Sequence, residues 1–152
     1  MKKFLLPLGF ILMLSACSTT TPPPPSSAPR ARLEFRPALY TAAPGLTERT
    51  VKGSDQKVYV SDQVLLSNEH VASAWVGKTE LGPNVEIKLT REGKQALAEA
   101  TEANVNKAIA ILVDGEVLSA PLVHHKISGG RATISGVFNE EEARRIADGI
   151  RK

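Results

Sequence analysis

Two apolar runs, Ala108–Val113 and Val117–Val123, lie end to end with only Asp114-Gly115-Glu116 between them. Asp-Gly between β-rich runs is a strong hairpin signal, because a tight primed turn needs positive φ and glycine adopts it without steric cost. Ser128-Gly129-Gly130 is a second turn signal, leading into Arg131–Gly136. The pattern predicts a three-stranded antiparallel meander over Lys107–Gly136. Ala108–Val113 shows no polar alternation, so this strand is expected to be covered on both faces. The rest of the domain must cover or extend the meander.

The flanking sequence supplies both kinds of element. Leu33–Leu39, Lys57–Ser61, Val71–Val76 and Pro83–Leu89 read as strands. In the last, Val85, Ile87 and Leu89 alternate with Glu86 and Lys88, which marks one wet face. Val64–Leu66 is a short apolar patch, and Ser67–His70 reads as a turn. Residues 39–56 hold Thr, Gly, Pro and charge with no sustained period, and are expected to be loop. Thr90 can cap a helix from Arg91 to about Val105, with Ala96, Leu97 and Ala100 forming a narrow stripe. Gly93 weakens the first turn by about 1 kcal/mol relative to alanine, so a local requirement is expected there. Asn139 with Glu142 three residues on resembles a capping box, and Ala143, Ile146, Ala147 and Ile150 repeat at helical spacing. The expected fold class is α+β: a mostly antiparallel β-sheet with two helices packed on one face.

The N-terminus has a different character. Met1-Lys2-Lys3 precedes the apolar run Phe4–Leu14 and then Ser15-Ala16-Cys17. This is the layout of a secretory signal. Eleven helical residues reach about 16 Å, roughly half the hydrocarbon core, so the run is too short for a permanent span. Leu14-Ser15-Ala16-Cys17 resembles the lipobox of bacterial lipoproteins. The resemblance implies removal of residues 1–16, diacylglycerol on the Cys17 sulfur and an acyl chain such as palmitate on its new amine. Three chains hold a protein at a membrane far more firmly than one. Ser18, rather than Asp, follows Cys17, which in a cell with two membranes implies the outer one. Residues 17–32 contain four consecutive prolines, Pro22–Pro25, among Ser, Thr and Ala, and read as a semi-rigid tether of roughly 45 Å at most. The domain proper is expected at residues 33–152.

The ordered motifs of this domain resemble one family. Leu33-Glu34-Phe35-Arg36, Leu89-Thr90-Arg91-Glu92-Gly93, Thr101–Val113, Asp114-Gly115, Ser119-Ala120-Pro121, Ile127-Ser128-Gly129-Gly130, Ala132–Gly136 and Phe138–Ile146 together are similar to the head of the first periplasmic domain of SecD, a subunit of the bacterial protein-export translocase. Asp114, Gly115, Pro121, Gly129, Gly130 and Gly136 are the signature turn and fold positions. The resemblance implies the head's fold, a location outside the inner membrane and a surface that contacts polypeptide. It covers the head alone. SecD has several transmembrane helices carrying proton-coupled machinery, so the motor activity is not implied.

Candidate chemical groups do not assemble into a site on spacing. His124 and His125 are adjacent, so on a strand they point to opposite faces, and His70 is remote. Asp114 suits a turn, Ser119 and Ser135 lack nucleophile-elbow context, and Ser128–Arg131 matches no phosphate loop. Glu140–Glu142 suits the positive end of a helix rather than a metal. No metal or cofactor is expected. The formal charge is +3, of which Lys2 and Lys3 supply two, so no nucleic-acid footprint is expected either. Trp75 is the candidate partner contact. These readings converge on a non-catalytic, lipid-anchored cell-envelope module facing the periplasm, contacting polypeptide or a partner protein. A structural lipoprotein with a fixed interface is the second reading and a small hydrolase the third.

Overall fold

A computed structural model describes residues 30–137 and 139–151. The expected lipidation site at Cys17, the leader and most of the tether lie outside the described residues. Nine strands and two helices follow in the order β1 (Leu33–Leu39), β2 (Leu46–Thr50), β3 (Lys57–Ser61), β4 (Leu66–Ser67), β5 (Val71–Thr79), β6 (Gly82–Leu89), α1 (Arg91–Ala103), β7 (Ala108–Val113), β8 (Glu116–Ser119), β9 (Arg131–Ile134) and α2 (Glu140–Ile150). All strand pairings between them are antiparallel. They form two sheets: one ordered β2-β3-β1-β7-β8 with β4 also on β1, the other ordered β5-β6-β9. The fold is thus mostly antiparallel with two helices, as the sequence led one to expect.

β7 is the axis. All six of its residues are buried. Successive side chains of a strand point to opposite faces. Ile109, Ile111 and Val113 accordingly enter the main core with Leu33 and Phe35, while Ala108, Ala110 and Leu112 enter a second cluster with Val58, Val60 and Val117. The apolar stripes of both helices, Leu97 and Ala100 of α1 and Ala143, Ile146, Ala147 and Ile150 of α2, lie in the main core, against the same face of β7. β1 pairs along the whole of β7, from Leu33 opposite Val113 to Ala38 opposite Ala108. This puts Glu34 on the second face. It is almost fully buried, and its carboxylate accepts from Arg36 Nε and Nη2 at 3.0 and 2.8 Å.

The helix ends are formed by the expected residues. Thr90 Oγ1 accepts from the Gly93 amide at 3.0 Å, and Asn139 Oδ1 from the Glu142 amide at 2.8 Å. α1 stops at Ala103, earlier than its stripe suggested, because Asn104 forms the cap and Asn106 turns to φ 63°. Val105 consequently sits outside the core.

Two expectations need correction. Residues 39–56 are not all loop. Leu46–Thr50 forms β2, paired residue for residue with β3 from Leu46 opposite Ser61 to Thr50 opposite Lys57. This strand carries no apolar alternation because four of its five residues are exposed, so its stability comes from the ladder and from cross-strand pairs such as Glu48 with Lys57 at 2.7 Å. The second correction concerns the meander. β7 and β8 pair across Asp114-Gly115, whose φ values are 54° and 83°. A bulge follows, and the chain continues along β7 past Ser119: the Ile109 amide donates to the Pro121 carbonyl at 3.1 Å and the Val123 amide to the Lys107 carbonyl at 2.9 Å. Ser128–Gly130 then carries the chain to the other sheet, and β9 pairs with β6, Ile134 opposite Val85 and Lys88 opposite Arg131. β9 completes the open edge of β6, burying Ile134 in the main core.

Candidate functional site

Because β9 leaves β8, a cleft opens between the two sheets. It encloses about 300 Å³ and its lining is mostly apolar. Phe35, Ile109 and Ile111 come from the main-core faces of β1 and β7. Leu97 and Thr101 come from α1, and the third side is the 121–133 segment. Thr101 ties that segment down. Its hydroxyl donates to the Leu97 carbonyl at 2.7 Å and accepts from the Ile127 amide at 2.9 Å. Lys126 adds an ion pair to Glu102 of α1 at 2.8 Å. Ile127 and Leu122 remain about two-fifths exposed in this segment. A second, more open cavity of about 420 Å³ is lined by Leu118, Ser119, Ala120, Ser135 and Gly136 and meets the first at Pro121 and Thr133.

A third cavity is polar, and the charges that line it are paired. Lys52, from the β2–β3 connection, reaches Glu142 of α2 at 2.6 Å and Glu116 beside the β7–β8 turn at 2.9 Å. Hydrogen bonds from Lys52 to Glu142 and then Glu116 hold its ammonium above the ordinary lysine range. Glu142 therefore spends its carboxylate on Lys52 rather than on the helix cap. Asp114 does more than turn the chain: Oδ1 accepts from the Arg32 amide at 2.8 Å and Oδ2 from Arg145 at 3.2 Å.

The remaining sequence candidates are dispersed. Trp75 lies on the outer face of the three-stranded sheet, 40% exposed, with the Arg131 guanidinium 5.8 Å from its ring centre. His124 and His125 are exposed, and His70 Nδ1 accepts from the Ser67 amide at 3.1 Å, at the far end of α1. Gly129 lies in the exposed segment before β9, Gly130 packs against the Lys94 stem, and Gly136 borders the second cavity. Among the described residues, no three His, Cys, Asp or Glu groups converge as metal ligands, and no helix is long and apolar enough to cross a membrane. Sequence reasoning missed the cleft residues Phe35, Leu97, Ile109 and Ile111, since each reads as ordinary core. It also missed Lys52, which stands in a stretch with no period.

Residues 45–152 match the family described as SecDF, P1 head subdomain. The protein translocase subunit SecD of Syntrophobacter fumaroxidans is 36% identical over 104 residues, covering 66% of this chain and 20% of the relative. SecD of Rhodothermus marinus is 38% identical over 109 residues, covering 71% and 18%. The chain thus spans about a fifth of the length of these relatives. Among solved structures, SecDF described as a membrane component that enhances protein export superposes with a TM-score of 0.66 at 27% identity, covering 82% of this chain and 63% of that one. SecDF in its super-membrane-facing form gives 0.66 at 29%, covering 82% and 19%. The match over 45–152, the identity with SecD and the shared two-sheet architecture agree: this chain belongs to the SecDF P1 head family.

Proposed function

We propose that this protein is a non-catalytic, lipid-anchored module of the cell envelope that contacts polypeptide, linked to protein export and facing the periplasm. The observation that carries the reading is an open, mostly apolar cleft of about 300 Å³ between the sheets of a SecDF P1 head. Apolar lining with few polar groups suits side chains of an unfolded or extended chain better than it suits a reacting small molecule. Thr101, the buried hydroxyl in the lining, is already committed, donating to the Leu97 carbonyl within α1 and accepting from the Ile127 amide of the 121–133 segment, which leaves it no catalytic task. The Leu14–Cys17 lipobox supports the anchor, and the proline-rich tether supports a domain held away from the bilayer.

A photo-crosslinking residue at Ile127 or Leu122 of the full-length protein in growing cells tests the contact. Adducts with many exported polypeptides are expected, whereas the same residue at exposed Arg49 of β2 stays unreacted. A single stoichiometric adduct at Ile127 would instead support the structural-lipoprotein reading. Absence of protein adducts at Ile127, at Leu122 and at Trp75 overturns polypeptide contact.

A further inference from the structure

We infer that polypeptide binds by adding a strand to the free edge of β9, with alternate apolar side chains in the cleft and an acidic flank at Lys88, Lys94 and Arg131. This rests on the polypeptide-contact reading and specifies its mode.

β9 ends its sheet, so among the described residues one side of its backbone has no strand partner. The Leu89 amide donates to the Gly130 carbonyl at 2.9 Å. In an antiparallel ladder the residues that exchange bonds alternate along the strand. Gly130, Ala132 and Ile134 therefore turn their main-chain groups toward β6, and Arg131 and Thr133 turn theirs away from it. Arg131, Ala132 and Thr133 also line the apolar cleft, and Thr133 lines the adjoining cavity as well. Donors and acceptors repeating every second residue, about 7 Å apart, beside an apolar recess match an extended chain, whose own groups and side chains repeat at that interval. The other open edges lack this combination. No residue of β5 lines either cavity, and β2 presents exposed Glu48 and Arg49, the kind of charge that guards an edge. On β8, which borders the second cavity, the outward Val117 carbonyl already accepts from the Lys52 amide at 2.8 Å.

Charge selects among extended chains. Lys88 stands opposite Arg131 in the β6–β9 ladder, and the Lys94 stem lies against Gly130, 3.3 Å from where a β-carbon would sit. All three cations therefore gather at the first residues of β9. None takes part in an ion pair among the described residues. A carboxylate on the bound segment is their complement.

The test uses the full-length protein in detergent and a fluorescent synthetic peptide of alternating valine and threonine ending in aspartates. Thr133→Pro removes an outward N–H without removing a main-chain β6–β9 bond, and is expected to weaken binding about tenfold. Thr133→Val, which loses only the hydroxyl's bonds to Glu86 at 3.1 and 3.2 Å, is expected to change it less than about twofold. A parallel series needs no protein variant: peptides N-methylated on alternate amides in one register are expected to lose about tenfold, and those in the other register less than twofold. Replacing the aspartates with lysines is expected to weaken binding, and added salt to erase that difference. Equal tolerance of both methylation registers overturns the strand mode, while retained peptide binding and cleft crosslinks leave polypeptide contact standing. Indifference to aspartate against lysine overturns the acidic flank. Loss of both peptide binding and the cellular crosslinks overturns the parent reading as well.

Discussion

Gly93 shows how a residue that looks unfavourable in isolation is required by its neighbours. It is buried in the first turn of α1, where a β-carbon would come within 2.4 Å of the His70 carbonyl oxygen and 2.9 Å of the His70 β-carbon. The backbone there cannot retreat easily, because the same His70 carbonyl accepts from the Thr90 amide at 2.9 Å. Alanine would gain about 1 kcal/mol in helix propensity. The clash acts on main chain rather than on a flexible side chain, so Gly93→Ala is expected to destabilise by about 1–3 kcal/mol net, read from the midpoint of urea unfolding. A stabilised variant would show that the 3₁₀ turn at Asn68–His70 yields freely. The sequence exposed the anomaly of a glycine in a helix start. It could not name the partner, because His70 is brought there by a strand order that no local pattern encodes. Asp114 divides in the same way: its turn role follows from Asp-Gly, whereas its bonds to Arg32 and Arg145 exist only after β1 and α2 have docked.

Between elements, Lys52 joins three pieces of chain that have no regular pairing with one another: the β2–β3 connection, the β7–β8 turn and the first turn of α2. The Lys52 amide also donates to the Val117 carbonyl at 2.8 Å, so main chain and side chain fasten the same connection. The side chain's folded pKa is raised by Glu142 and then Glu116, so its stabilisation is complete below the unfolded value near 10.5 and is lost as pH rises through the higher folded value. Lys57 is raised by Glu48 in the β2–β3 ladder and titrates in the same alkaline range, so the comparison must be between proteins rather than between pH values alone. Lys52→Met is expected to lose about 1 kcal/mol at neutral pH, with its deficit relative to the unmodified protein shrinking above pH about 10.5. A deficit constant with pH would mean that packing of the lysine stem, not its charge, carries the effect. At this scale α2 was largely legible, since Asn139 and the Ala143–Ile150 repeat are local signals. β2 was not legible, because an exposed strand held by its ladder leaves no apolar period to read.

For the whole molecule, the resemblance of Leu14–Cys17 to a lipobox makes a prediction independent of the fold. Cys17→Ser is expected to move the protein from the membrane fraction to the soluble one, measured by fractionation and blotting; retention in detergent-extractable membranes would remove the anchor from the proposed function. Nothing about the cleft depends on that outcome, since its residues all lie within the domain. Local patterns were enough to tell which side of each regular element is apolar, namely both faces of β7, one face of β6 and one stripe of each helix, and to place the reversal at Asp114-Gly115. These follow from periodicities of 2 and 3.6 and from the few residues that accept positive φ, all of which act within a short stretch of chain. That β9 crosses to β6 instead of closing a meander on β8 emerges only in the folded chain. Partner choice for a short strand depends on which distant edge is open and what its side chains bury, and backbone donors and acceptors are the same for every residue but proline. The cleft is the space left by that choice, which is why its lining reads in the sequence as core and is found only in the folded chain.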